Sequence, residues 1–153
     1  MHFSLSTQFG LRILLFAASV NRKTTTREIA EFYGLPLDPV RKAARRLGRL
    51  GYLDTERGQT GGLRLSRAAS EIALGPVIRQ LEGETAAGPG NGYEGFARPH
   101  AEALRNAIGE AEAQFWIKLD QVALSQLATR TDIQQAEPRA TEPAPTDENQ
   151  RAA

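Results

Sequence analysis

Apolar residues recur at helical spacing in three successive stretches near the start of the chain, and the pattern then changes to strict alternation. In the first stretch Phe9, Ile13, Phe16 and Val20 share one helix face, and Leu14 and Leu15 widen it. This predicts a helix capped by Ser6 or Thr7 and running to about Val20, with an apolar face broad enough to pack on more than one side. The polar loop Asn21–Thr24 follows. Thr25 and Glu28 then stand at capping-box spacing and open a second helix, which carries Ile29, Ala30 and Phe32 and stops near Gly34. Gly34-Leu35-Pro36-Leu37 leads into the third stretch, where Val40, Ala43, Ala44, Leu47 and Leu50 fall at i, i+3, i+4 and i+7 spacing. Asp38 suits the N-cap of this helix, Pro39 its first helical position, and Gly51 a left-handed C-cap.

From Tyr52 to Glu56 apolar and polar residues alternate as in a half-buried strand, and Leu63-Arg64-Leu65 alternates back. Gly58-Gln59-Thr60-Gly61-Gly62 between them is a hairpin turn, rich in the residue that tolerates positive φ. Two short helices joined by a tight turn and followed at once by a hairpin make a winged helix-turn-helix, so the expected class is mainly α with a two-stranded wing. Ile72 to Leu81 forms a short amphipathic helix behind the wing. Gly83 to Pro99 is glycine-rich with two prolines and no clear period, and reads as a loop. A long helix is expected from His100 to Leu119. Its Leu104, Ile108, Ala111, Phe115 and Leu119 recur like a coiled-coil seam, which favours a dimerisation helix. Trp116 and Ile117 widen the face and equally permit packing on the chain's own core. Val122–Leu127 suits one more short helix, and the stretch from Thr131 on, almost without apolar residues, reads as disordered. The expected organisation is a winged domain over 1–83, a loop over 84–99, a dimerisation region over 100–128 and a tail over 129–153.

Charge adds a function to this frame. The polar face of the third helix carries Arg41, Lys42, Arg45, Arg46 and Arg49, and five cations within nine residues call for an anionic partner. The chain as a whole is nearly neutral at +1, yet residues 1–70 hold 12 Lys/Arg against 5 Asp/Glu, and the remainder 7 against 13. The basic half is therefore where double-stranded DNA should bind, the third helix in the major groove and the wing on the backbone or minor groove. Arg41, Lys42 and Arg45, toward the start of the helix, are placed to reach base edges. Arg49, with Arg57 and Arg64 beside the wing turn, is placed for phosphate, and Arg46 with Gln59, Thr60 and Gly61 at the wing tip completes the expected DNA-binding set. The glycine run lacks the Lys-Ser/Thr ending of a nucleotide-binding loop. There is no cysteine, and the only histidines, His2 and His100, gather no catalytic constellation. His100, with Glu94 and Glu102 near it, reads as a surface residue and not a metal ligand, so neither an enzyme nor a metal site is expected. No run is long enough to span a membrane, and the expected location is the cytoplasm. The alternative is an interaction module whose basic helix binds an acidic protein.

Several segments together also resemble the NsrR/IscR family of winged-helix repressors, within the Rrf-two superfamily. These are Leu5-Ser6-Thr7-Gln8-Phe9-Gly10-Leu11-Arg12, the run from Gly34 through Val40-Arg41-Lys42-Ala43 and Leu47-Gly48-Arg49-Leu50-Gly51-Tyr52-Leu53, Arg57-Gly58-Gln59-Thr60-Gly61-Gly62-Leu63-Arg64-Leu65, and Ile72-Ala73-Leu74-Gly75-Pro76-Val77-Ile78-Arg79-Gln80-Leu81-Glu82-Gly83. The resemblance is close over residues 1–83 and extends as a pattern over 100–128. It implies a homodimer, exchanged through the long helix, that binds pseudo-palindromic operators. It also implies a sensor cluster held by three cysteines in the loop before that helix, and there this chain departs: Glu84 to Glu102 contains none, and Gln8, at the position resembling a further ligand, is a poor iron donor. No cofactor is therefore expected. A small effector lodged between the first helix, the 84–99 loop and the partner's long helix would meet Phe9, Phe96 and Trp116, residues that serve equally well as core.

Overall fold

The computed structural model describes residues 3–56, 61–83 and 98–128. The expectations for the wing tip at 57–60, most of the 84–99 loop and the 129–153 tail lie outside the described residues. Helix α1 (Leu5–Val20) begins earlier than the sequence suggests, because Ser4 and not Ser6 or Thr7 is its cap: the Ser4 hydroxyl accepts from the Thr7 N–H at 3.2 Å. Thr7 is fully buried instead. Ile13, Leu14, Phe16 and Ala17 fill the centre of the molecule, and α1 packs against most of the elements that follow.

Helix α2 (Thr26–Tyr33) starts where Thr25 and Glu28 predict, with the Thr25 hydroxyl accepting from the Glu28 N–H at 3.1 Å. The Glu28 carboxylate does not close the box; it accepts from the Thr24 hydroxyl at 2.6 Å and from Arg22. Gly34, at φ 62°, turns the chain sharply into helix α3 (Leu37–Arg49). This helix opens with Pro36 in the cap position and no side-chain cap, so Asp38 is not the N-cap. It lies in the first turn, where a carboxylate suits the positive end of the helix, and Arg41 donates to it at 3.3 Å. The far end matches expectation. Gly51 has φ 77°, the Tyr52 N–H reaches the Leu47 carbonyl at 3.0 Å and the Gly51 N–H reaches Gly48 at 3.1 Å, the paired bonds of a Schellman stop.

Strands β1 (Leu53–Glu56) and β2 (Gly62–Leu65) pair antiparallel, with Leu53 opposite Leu65, Asp54 opposite Arg64 and Thr55 opposite Leu63. Thr24, from the α1–α2 loop, pairs with Leu63 in an isolated antiparallel bridge: its N–H donates to the Leu63 carbonyl at 2.9 Å, and its carbonyl accepts from the Leu63 N–H at 2.8 Å. The wing is thereby bonded to the linker as well as to α3. After a short 3-10 turn at Ala69–Glu71, Ile72 and Ala73 are extended, and helix α4 (Leu74–Glu82) starts later than the apolar period implies. Pro76 explains the delay. It has no N–H to donate and is tolerated only in a first turn, so a helix beginning at Ile72 would place it too far inside.

Helix α5 (Arg98–Asp120) spans 23 residues, and among the described residues no helix is long and apolar enough to cross a membrane. Its last turns pack on α4. Gly75 leaves room for nothing there, since a Cβ would stand 1.9 Å from the Asp120 Oδ1. Arg79 donates to that same carboxylate oxygen at 2.6 Å and covers the Trp116 ring with its guanidinium 5.0 Å from the centroid. The chain then returns to the winged domain. The Leu74 N–H bonds the Val122 carbonyl at 2.9 Å, the Leu124 N–H bonds Ile72 at 2.8 Å, and the short helix α6 (Leu124–Leu127) seats Leu124 at 0% exposure in the core. The fold is thus a winged helix-turn-helix with a long helix whose end is tied back to it. Leu124→Ala should destabilise the protein by about 2–5 kcal/mol, the cost of a buried cavity, read as a lower denaturation midpoint at unchanged slope.

Candidate nucleic-acid interface

The two sides of α3 divide as the periodicity predicts. Val40, Ala43, Ala44 and Leu47 are buried, while Arg41, Lys42, Arg45 and Arg49 are exposed. The eight steps from Arg41 to Arg49 cover about 12 Å of helix axis, so these cations form one stripe along the outer face. Their surroundings differ. Arg41 is paired with Asp38 within its own helix. Lys42, Arg45 and Arg49 have no carboxylate partner among the described residues. Arg46 is half-buried and turns to α4, where its Nη2 donates to the Gln80 carbonyl at 3.0 Å.

The stem of the wing is charge-balanced by comparison. Arg64 stands 3.5 Å from Asp54 on the opposite strand, and Lys23 pairs with Glu56. The Lys23 ammonium, by its hydrogen bond and charge, holds the Glu56 carboxyl below the usual range. The Glu28 carboxyl is likewise low, chiefly through its hydrogen bond with Arg22. Gly61 is half-exposed at the start of the returning strand, while Arg57, Gln59 and Thr60 lie outside the described residues. Thr55 sits beside Gly48, whose missing Cβ would be 3.6 Å from the Thr55 methyl, so wing and α3 abut directly.

Two contacts that the sequence does not reveal brace this junction. The Ser66 hydroxyl and the Arg67 guanidinium both donate to the Gly51 carbonyl, at 2.5 and 3.3 Å, and Arg67 also lies over the Tyr52 ring. Burial pushes the Tyr52 hydroxyl above its ordinary pKa despite the nearby Arg67 charge, so the ring stays neutral at physiological pH. A groove of about 440 Å³ runs between this wing face and the end of α1, lined by Arg22, Lys23, Asp54, Glu56, Arg64 and Arg67. Two of its cations, Lys23 and Arg64, face its carboxylates, while Arg22 pairs with Glu28 outside the lining and Arg67 bonds the Gly51 carbonyl.

The seam residues of α5 are not in one environment. Leu104 and Ala111 are exposed, Ile108, Phe115 and Leu119 are half-buried, and Ile117 is 50% exposed. Phe115 meets the Phe3 ring at 6.4 Å and Trp116 at 5.2 Å, and Leu119 packs on the core. Of the effector-site residues, Phe9 and Trp116 are partly buried against the core and Phe96 lies outside the described residues. Gln8 donates its side-chain amide to the Phe3 carbonyl at 3.0 Å. The chain has no cysteine, and among the described residues no three His, Asp or Glu side chains converge as metal ligands would.

Comparison with solved structures places this architecture among known regulators. Staphylococcus aureus CymR superposes with a TM-score of 0.67 at 24% identity, covering 82% of this chain and 96% of that one. CymR of B. subtilis, described as the global cysteine regulator, gives 0.63 at 25% identity over 84% and 96%. T. potens IscR gives 0.67 at 20% identity over 90% and 93%. Residues 3–130 match the family model named Rrf2 and described as an iron-dependent transcriptional regulator, so the chain belongs to the Rrf2 family of transcriptional regulators.

Proposed function

We propose that this Rrf2-family regulator is a homodimeric, sequence-specific DNA-binding repressor that works without an iron–sulfur cluster. The observation that supports it most is the contrast in charge pairing. Around the wing stem Arg64 and the loop residue Lys23 face carboxylates, whereas Lys42, Arg45 and Arg49 stand exposed on the second helix of a helix-turn-helix with no carboxylate beside them among the described residues. Three such cations on one stripe repel each other until an anion arrives. A phosphate backbone supplies that charge at regular spacing, and an α-helix fits the major groove. Arg41, Lys42 and Arg45 are the base-reading candidates. Arg49 and Arg64, with Arg57 and the Gln59–Gly61 wing tip, take the backbone. Repression follows from occupancy, since a dimer seated on a promoter excludes what must bind there next.

The dimer rests on the first turns of α5, where Leu104 and Ile108 offer apolar surface away from the domain core. Two recognition helices joined through that seam would enter successive major grooves about 34 Å apart on a pseudo-palindromic operator. The absence of a cluster rests on the donor set. A sulfide-bridged iron site needs thiolates, and histidine and carboxylates of this chain are no substitute. The iron dependence in the family's description does not extend to residues of this kind. Selection of bound sequences from random DNA tests the whole reading; failure to bind any DNA, together with capture of an acidic protein, would favour the interaction-module alternative.

Three outcomes are expected. Arg45→Ala should cost about 1–3 kcal/mol on the selected operator and relax preference at one position, whereas Arg49→Ala should weaken all sequences alike and lower the salt slope by about one. Leu104→Glu with Ile108→Glu should yield a monomer by sedimentation, with operator affinity greatly reduced. Anaerobic treatment with iron and sulfide should produce no stoichiometric visible chromophore, and an operator titration should be the same before and after it.

A further inference from the structure

The cations of α3 meet two different surroundings. Lys42, Arg45 and Arg49 point outward, but Arg46 lies on the flank that faces α4. The Gln80 carbonyl that it reaches is one of the last four of α4, which have no partner inside the helix. The preceding one, of Arg79, is taken by the Gly83 N–H. A guanidinium placed here satisfies an orphan acceptor and also faces the negative end of the helix dipole.

The same corner holds the start of α1. The Glu82 carboxylate accepts from the Ser4 N–H at 2.9 Å, and a Cβ on Gly83 would come within 4.0 Å of the Arg46 Nη2. Burial works to raise the Glu82 pKa, but hydrogen bonds from Thr7 and Ser4, with the Arg46 charge, outweigh it and keep the carboxylate ionised. Three helix ends or flanks therefore meet in one polar corner: the flank of α3, the C-terminus of α4 and the N-terminus of α1.

We propose that Arg46 is a positioning residue, which sets the angle of α3 against α4 and α1 through the Gln80 carbonyl and makes no contact with phosphate. This rests on the DNA-binding reading above. Reaching a phosphate would require Arg46 to leave that carbonyl, whereas its neighbours Lys42, Arg45 and Arg49 have no such bond among the described residues. The geometry is also sensitive. A helix of 13 residues is about 20 Å long, so a tilt of about 5° at one end moves the other by roughly 2 Å. That displacement takes a side chain out of hydrogen-bonding range of a base edge.

The test measures affinity for the selected operator and for random DNA against salt concentration, with wild type, Arg46→Gln, Glu82→Gln, the double variant and Arg49→Ala as the phosphate-contact control. Circular dichroism melts establish that each is folded at the assay temperature. Arg46→Gln is expected to lower operator affinity about tenfold while leaving the salt slope at the wild-type value, because no counterion-releasing contact is lost. Glu82→Gln is expected to weaken operator binding too, although it removes a negative charge, and the double variant to be no worse than Arg46→Gln alone. A slope reduced by about one in Arg46→Gln, or Glu82→Gln binding as tightly as wild type or tighter, would overturn the proposal. If Arg46→Gln does not fold, Glu82→Gln decides by itself: weaker operator binding supports the proposal, equal or tighter binding overturns it. Wild type that binds no DNA at all would instead remove the underlying reading, a result visible before any variant is made.

Discussion

Everything in this molecule is arranged around the burial of α1. Ile13 and Leu14 are adjacent in sequence and project to different sides of the helix, yet both are fully buried, with Phe16 and Ala17 close to it. A helix apolar on so much of its circumference must be covered on several sides, and α2, α3, α4, α6 and β2 all contribute. Helix α3 gains its exposed basic face from the same constraint. Because Val40, Ala43, Ala44 and Leu47 must lie against α1 and α2, the opposite stripe of cations has no choice but to face water or a ligand.

Hydrophobic burial positions helices only loosely, and polar contacts at their ends set the finer geometry. Each junction around α3 has one. Gly34 and Gly51 reverse the chain with left-handed turns. Ser66 and Arg67 hold the Gly51 carbonyl where α3 passes into the wing. Thr24 stitches the wing to the α1–α2 linker. Arg46 and Glu82 join α3, α4 and α1 at the opposite corner. Groups that read base edges need placement to a fraction of an ångström, and directional hydrogen bonds supply it better than packing alone.

The long helix belongs to two neighbourhoods. Its last turns are integral to the domain: Asp120 fills the space left by Gly75, Arg79 bridges Asp120 and Trp116, and the following segment delivers Leu124 to the core. Its earlier turns carry Leu104 away from that core at 38% exposure. A stripe that looks uniform in the sequence is thus anchored at one end and open at the other. Helix α4, against which the anchored end packs, also carries the Gln80 carbonyl that Arg46 holds.

The helices, the turns and the basic face were legible in the sequence because their causes are local. Periodicity, the Thr25 cap and the glycines at 34 and 51 act over at most a few residues, and the missing cysteines are a fact of composition. The starts of α1 and α3 were read slightly late, since Ser4 and Pro36 serve as caps outside the apolar pattern. The start of α4 was read early, because period alone ignores what Pro76 forbids. Which cations are committed and which are free was decided only by the tertiary structure. Arg46 meets Gln80 across 34 positions, Lys23 meets Glu56 across 33 and Arg79 meets Asp120 across 41. A charged side chain spends its hydrogen bonds on whatever the fold brings within 3 Å or so, and chain separation carries no record of that distance.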